Sequence, residues 1–152
     1  MLVALSVLML AVVAEPDPTK GSRPPVVKFQ KVENGALIFE VINRNAETLP
    51  YVGYTSDSID GGLAKDVVAP LYRLEVCKDK ACKPHAPGWC KTGVGAVSIP
   101  ARSSVTFVVH PPQGDWDSFR VGLIWYKTAD RKGGSNIAWS ETVTREATAP
   151  KK

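Results

Sequence analysis

Three cysteines and one histidine fall within a single short stretch, CKDKACKPHAPGWC, from Cys77 to Cys90. Cys77, Cys82, His85 and Cys90 are spaced C-x4-C-x2-H-x4-C. Three thiolates and an imidazole are a legitimate zinc set. The spacing differs from a zinc knuckle, C-x2-C-x4-H-x4-C, by exchange of the first two gaps. A structural zinc also usually organises a domain too small to fold alone, which this chain is not. A disulfide is the better use of the same residues. Three cysteines allow one bridge and one leftover thiol. Chain entropy hardly chooses among the pairings: closing the Cys77–Cys82 loop is worth about 2 kcal/mol and the Cys77–Cys90 loop about 3 kcal/mol. Geometry favours Cys77–Cys82, because Cys77 ends one predicted strand and Cys82 opens the return across a four-residue turn. Cys90 is then a free, buried thiol, and Cys82–Cys90 is the alternative bridge.

Other groups with catalytic or binding chemistry are scattered. A cysteine nucleophile needs a histidine base held by a third group, and no protease or nucleophile-elbow signature surrounds Cys90 or His85. Asp115 and Asp117 flank Trp116 like a carboxylate pair, but on a corner such residues cap the turn or face solvent. Asp57 and Asp60 suggest a calcium loop, yet the register around Gly61 puts Val67 where a bidentate Glu belongs. No phosphate-binding glycine loop follows a strand, and no cofactor motif is present. The net charge of +4 is modest. The basic residues Lys78, Lys80, Lys83 and Lys91, and the later Lys127, Arg131 and Lys132, lack the density and the motif of a nucleic-acid reader. Aromatic recognition remains: Tyr51, Tyr54, Trp89 and Trp116 sit in predicted loops and corners, where they form a candidate binding surface. The competing reading has Trp89 and Trp116 plugging the ends of the fold. Trp125 and Trp139 are expected to pack inward.

Strand signals position these residues. VVKFQKV (26–32) and ALIFEVIN (36–43) flank Asn34-Gly35, the pair a type I′ hairpin turn prefers. Leu37, Phe39 and Val41 share one face. The stretch 44–70 is rich in Gly, Pro, Ser and Asp. It reads as a long irregular loop, with a short helical turn near Ala64–Val67, and loops of that length are usually functional. LYRLEVC (71–77) alternates again, with Tyr72, Leu74 and Val76 on one face and Arg73, Glu75 and Cys77 on the other. A return strand follows over Cys82–His85, then AVSIP (96–100). SVTFVVH (104–110) turns Val105, Phe107 and Val109 inward. FRVGLIWY (119–126) turns Phe119, Val121, Leu123 and Trp125 inward. IAWSETV (137–143) is the last strand. About seven or eight short strands with no helix-period segment predict an all-β domain. Two antiparallel sheets packed as an immunoglobulin- or fibronectin III-like sandwich satisfy the alternation.

The ends read differently. Residues 1–14 are an uncharged apolar run, too short for a ~20-residue membrane span, and Val12-Val13-Ala14 places small residues at a cleavage position. They are expected to be a signal peptide, although no basic residue precedes the run. Residues 15–25 read as a flexible leader, 26–145 as the sandwich and 146–152 as a flexible tail.

GWCKTGVG (88–95), SIPARSSVTFVV, DWDSFRVGLIWY and IAWSETV together resemble a group of small secreted, uncharacterised bacterial proteins, over roughly residues 30–143. The resemblance implies an immunoglobulin-like sandwich and no established activity. It also implies that Cys90 belongs to the shared pattern while Cys77 and Cys82 were gained together, in keeping with their pairing. A looser likeness, through EVIN (40–43), the long loop and PARSSVTF (100–107), is to sandwich domains of the intracellular proteinase-inhibitor type. The functional expectation is an exported, non-enzymatic domain of the cell envelope or exterior, without a transmembrane segment, that binds a protein or polysaccharide. The alternatives are a proteinase inhibitor with an exposed bait loop, and a secreted metal-binding protein using Cys77, Cys82, His85 and Cys90.

Overall fold

The computed structural model describes residues 22–54, 70–85, 87, 94–128 and 130–149. The apolar run 1–14, the helical turn near 64–67, Asp57, Asp60, Trp89 and Cys90 lie outside them. Among the described residues, ten strands form two antiparallel sheets: β1 Val26–Glu33, β2 Ala36–Ile42, β3 Leu49–Tyr54, β4 Tyr72–Lys78, β5 Ala81–His85, β6 Val94–Ile99, β7 Ser104–Val109, β8 Ser118–Tyr126, β9 Ser135–Trp139 and β10 Val143–Thr144. The smaller sheet is β1-β2-β7. The larger runs β5-β4-β8-β3-β6, with β9 and β10 also on β8. The result is the all-β, immunoglobulin-like sandwich that the alternation predicts.

Local chemistry explains the first hairpin. Asn34 and Gly35 have φ of 50° and 77°, the left-handed pair of a type I′ turn. β1 then pairs β2 from Glu33↔Ala36 to Val26↔Ile42, with one irregularity between Phe29 and Lys31. Period-two alternation in β2, β7 and β8 delivers the core. Leu37, Phe39, Val41, Phe107, Val109, Phe119, Val121, Leu123 and Trp125 are all buried. Phe39 packs beside Phe107 of its own sheet, with ring centroids 5.9 Å apart, and against Phe119 across the sandwich at 6.5 Å.

β8 is the spine of the larger sheet. Gly122 pairs with Arg73 of β4 on one edge and Trp139 of β9 on the other. Trp125 likewise pairs with Tyr51 of β3 and Asn136 of β9. β4 and β3 therefore share one edge of β8, and β9 and β10 the other.

Three expectations change. The stretch 44–70 is not wholly irregular, because β3 lies inside it and pairs β6 from Leu49↔Ile99 to Tyr54↔Val94. Pro50 and Gly53 disguise it, being residues that weaken a strand reading. The predicted final strand 137–143 is two strands. Ser140 breaks it by accepting the Val121 N–H on Oγ at 3.0 Å while its hydroxyl donates to the Glu141 carbonyl at 2.7 Å. Contacts to the sandwich also begin before residue 26: the Arg23 N–H and carbonyl both bond to the Asn45 side chain, at 2.8 and 3.0 Å.

Asn43 joins the two sheets. It is fully buried and lies where the chain leaves β2 for β3. Its amide nitrogen donates to the carbonyls of Glu47, Ile99 and Pro100 at 2.8, 3.1 and 2.9 Å. Its Oδ1 accepts from the backbone N–H and the side chain of Asn45 at 3.0 and 2.9 Å. The first set spans two of the three crossings between sheets, β2 to β3 and β6 to β7. Asn43→Ala leaves several of these groups buried without partners, at a cost of about 1–3 kcal/mol each where water cannot reach. We expect this variant to lose about 3 kcal/mol or more in urea unfolding. Asn45→Ala, at a partly exposed site, is expected to lose less than half of that. Equal losses would show that Asn43 is not the tie.

Candidate functional site

The cysteine segment folds as a hairpin. Asp79 and Lys80 have φ of 49° and 67°, so the β4–β5 turn has the left-handed pair of a type I′ turn without the usual glycine. Cys77 and Cys82 are direct partners across it and are joined by a disulfide with their Cα atoms 4.0 Å apart. This is the expected bridge. The alternative metal set is not brought together among the described residues, and its Cys90 lies outside them. Two of its donors are bonded to each other, and His85 pairs with the inward-facing Leu74. Directly paired residues share a face, so His85 lies on the opposite face of the hairpin from both cysteines.

All five residues of β5 are exposed, and among the described residues β5 is an edge strand. Pairing alternates along an antiparallel ladder. Starting from the turn-closing pair Lys78↔Ala81, the backbone groups of Cys82 and Pro84 point to the free edge. Pro84 has no N–H to offer there, which blunts the edge against addition of another strand.

A polar network anchors the hairpin tip to the β7–β8 corner. Asp117 Oδ2 accepts the Asp79 N–H at 2.8 Å, and the Cys77 carbonyl accepts the Asp117 N–H at 2.9 Å. Lys78 Nζ reaches Asp115 at 3.1 Å and Asp117 at 3.2 Å. The carboxylates flanking Trp116 therefore clamp one lysine instead of forming an acid–base pair. Arg145 closes the corner: its Nε donates to the Trp116 carbonyl at 2.7 Å, and its guanidinium lies 4.6 Å from the Trp116 ring centroid.

The four aromatics expected to share a binding surface do not come together as one. Trp116 is 5 % exposed, donates from Nε1 to the Pro112 carbonyl at 2.9 Å and packs edge-on against Phe119. It plugs the end of the sandwich. Tyr51 is fully buried opposite Trp125, and burial pushes its phenol far above its usual pKa. Tyr54 is partly buried at the end of β3. Trp89 is outside the described residues.

Trp139 moves the other way. Ala138 takes the inward position, at 6 % exposed, which turns Ile137 and Trp139 to the outer face of the larger sheet. Trp139 pairs directly with Gly122, and a Cβ built on Gly122 would stand 2.8 Å from the indole and 2.7 Å from Ile137 Cγ2. The glycine is what lets both side chains close over β8. Arg120 lies with its guanidinium 4.6 Å from the Trp139 ring centroid and donates from Nε to Glu75 at 2.8 Å. Arg73, Glu75, Pro84, His85 and Trp139 line a shallow groove of about 300 Å³ beside this cluster. A second groove of about 380 Å³ lies at the sandwich end, where His85, His110 and Tyr72 meet. The Tyr72 hydroxyl there accepts the His110 N–H at 3.4 Å. No helix among the described residues is long and apolar enough to cross a membrane. Comparison with known protein families, with curated proteins and with solved structures finds no match to the chain.

Two outcomes test this geometry. Gly122→Ala is expected to cost about 1–3 kcal/mol by overpacking and to shift Trp139 emission, whereas unchanged emission would mean the indole does not rest on Gly122. The tip should also respond to pH at its extremes only. The Asp79 N–H, and then Lys78, hold the Asp117 carboxyl below the usual carboxylate range. Hydrogen bonds to Asp115, and then to Asp117, raise Lys78 above its usual value. A depressed acid supports the fold above its unfolded pKa, and that support is lost as pH falls through the folded value. A raised base supports it below the unfolded pKa and loses it as pH rises through the folded value. The Asp79 amide shift should therefore stay flat across neutral pH and move only below the ordinary carboxylate value of about 3.9. A midpoint at or above that value contradicts the clamp.

Proposed function

We propose that the chain is an exported, non-enzymatic binding module that engages a protein partner through the outer face of its larger sheet. The observation that carries this reading is Arg120 held between Glu75 and the Trp139 ring on a surface-facing strand. Arg and Trp are the residues most enriched at binding hot spots. Here the arginine's rotamer is fixed before any partner arrives, which lowers the ordering cost of association. Ile137, 37 % exposed, adds an apolar contact beside them.

The same geometry favours a protein over a polysaccharide. Sugar stacking needs a bare aromatic face, and the Trp139 ring has Arg120 against it and Gly122 beneath. Export is supported by the disulfide on an exposed hairpin, since such bonds persist in oxidising compartments. A non-enzymatic role is supported by how the candidate groups are spent: Asp115 and Asp117 hold Lys78, and Cys77 and Cys82 hold each other.

Cross-linking in envelope extract, followed by titration with the purified partner, tests the proposal. Trp139→Ala and Arg120→Glu should each weaken binding by about 30-fold, the loss of a hot spot of about 2 kcal/mol. Arg102→Glu, in the β6–β7 turn, should leave binding unchanged. A partner indifferent to both outer-face variants overturns the surface. Binding confined to a glycan array overturns the partner class. A cytosolic chain that retains Met1 overturns export.

A further inference from the structure

We infer that Glu75, Cys77 and Cys82 form a thiol-gated site for a soft divalent cation, zinc or cadmium in type, available only when the disulfide is open. This does not rest on the partner-binding reading. The side-chain donor atoms of the three residues all lie within 4.8 Å of one another. Zinc–sulfur bonds of about 2.3 Å and zinc–oxygen bonds of about 2.1 Å place two ligands of a tetrahedral ion roughly 3.6–3.8 Å apart. Donors already within 4.8 Å of one another reach that spacing by side-chain rotation once the bridge opens.

The hairpin supplies the geometry. Glu75 and Cys77 are two residues apart on β4 and share its outer face, and Cys82 stands directly opposite Cys77. Two thiolates of one tetrahedral ion sit about 3.8 Å apart, a separation that side-chain rotation supplies to two directly opposed residues whose Cα atoms are 4.0 Å apart. The open dithiol can therefore span an ion without parting the strands. Glu75 uses Oε1 to accept from Arg120 at 2.8 Å. That contact orients the carboxylate as an outer-shell partner does and leaves its second oxygen to coordinate. His85 is excluded by its face.

Gating is ordinary exchange chemistry. Cys82 is exposed and Cys77 only partly so, which makes the Cys82 sulfur the accessible target. A dithiol reductant attacks it as thiolate, forms a mixed disulfide and releases Cys77 as thiolate. The reductant's second thiolate then attacks its own bonded sulfur, releases Cys82 and departs as a cyclic disulfide. Two electrons pass to the protein. The ion then binds both thiolates, and two protons are released relative to the dithiol. Bridge and ion compete for the same sulfur atoms, so each excludes the other.

Cadmium titration of the full chain carrying Cys90→Ser, followed by thiolate-to-cadmium absorption, reads the site directly. The reduced protein should bind one cadmium through two thiolates, and the oxidised protein should show no such band. Glu75→Gln should weaken binding at least tenfold, and His85→Ala should not change it. Each variant's unfolding midpoint separates loss of a ligand from loss of the hairpin. No stoichiometric band in the reduced protein overturns the site. So does a Glu75→Gln variant that is folded and binds as tightly, or binding that requires His85.

Discussion

Three crossings between sheets make this chain a sandwich, and one buried amide ties the first two together. The chain passes from the small sheet to the large one after β2, back again after β6, and to the large sheet once more after β7. Asn43 sits at the first crossing and hydrogen-bonds the backbone of the second at Ile99 and Pro100. The second crossing answers with the Ser103 carbonyl, which accepts the Asn43 N–H at 2.9 Å. Apolar faces alone would let the sheets stack in more than one relative position, because hydrophobic burial has no direction. Hydrogen bonds at the first two crossings have direction, and they fix which end of β2 meets which end of β7. The pairing Ile42↔Ser104, the last rung of the small sheet, lies immediately beside this amide.

With the crossings fixed, β8 divides the molecule's chemistry into an inside and an outside. Its odd positions, Phe119 to Trp125, are spent on the core. Its even positions, Arg120 and Gly122, organise the outer face. The core tolerates no polar change there, whereas the outer face carries a charge, a cation–aromatic contact and a glycine whose missing side chain makes room for its neighbours. The hairpin β4–β5 extends this outer face beyond the small sheet, which explains why all of β5 is exposed.

What a reader of the sequence could see follows the same division. Inward positions were legible wherever alternation was clean, as in β2, β4, β7 and β8, because period two and burial are the same fact. The Asn34-Gly35 turn and the Cys77–Cys82 pairing were legible for local reasons, a turn chemistry and a short span. β3 was hidden because Pro50 and Gly53 interrupt the pattern, although Leu49, Tyr51 and Gly53 still alternate inward. Trp139 was misplaced because size suggests burial, yet parity with the small Ala138 and cross-strand contact with Gly122 decide its side. The second relation depends on register and is invisible in one strand. Asn43 was hidden for a similar reason. The partners that make it a tie, Ile99 and Pro100, lie more than fifty residues away, and its short-range contacts to Asn45 and Glu47 do not distinguish it from any asparagine ending a strand.

The exposed hairpin is where chemistry can vary at least cost to the fold. Its disulfide encloses a short loop and lies on the face turned away from the core, so opening it forfeits only about 2 kcal/mol of chain entropy. The tip has a second, independent hold in Asp117 and Lys78, which touches neither sulfur. The hairpin can therefore keep its shape with the bond open. A bridge needed for folding could not be exchanged without loss of the protein; a bridge backed by an ionic clamp can be. That redundancy gives the outer face two states on one unchanged scaffold, with Glu75 shared between them through Arg120.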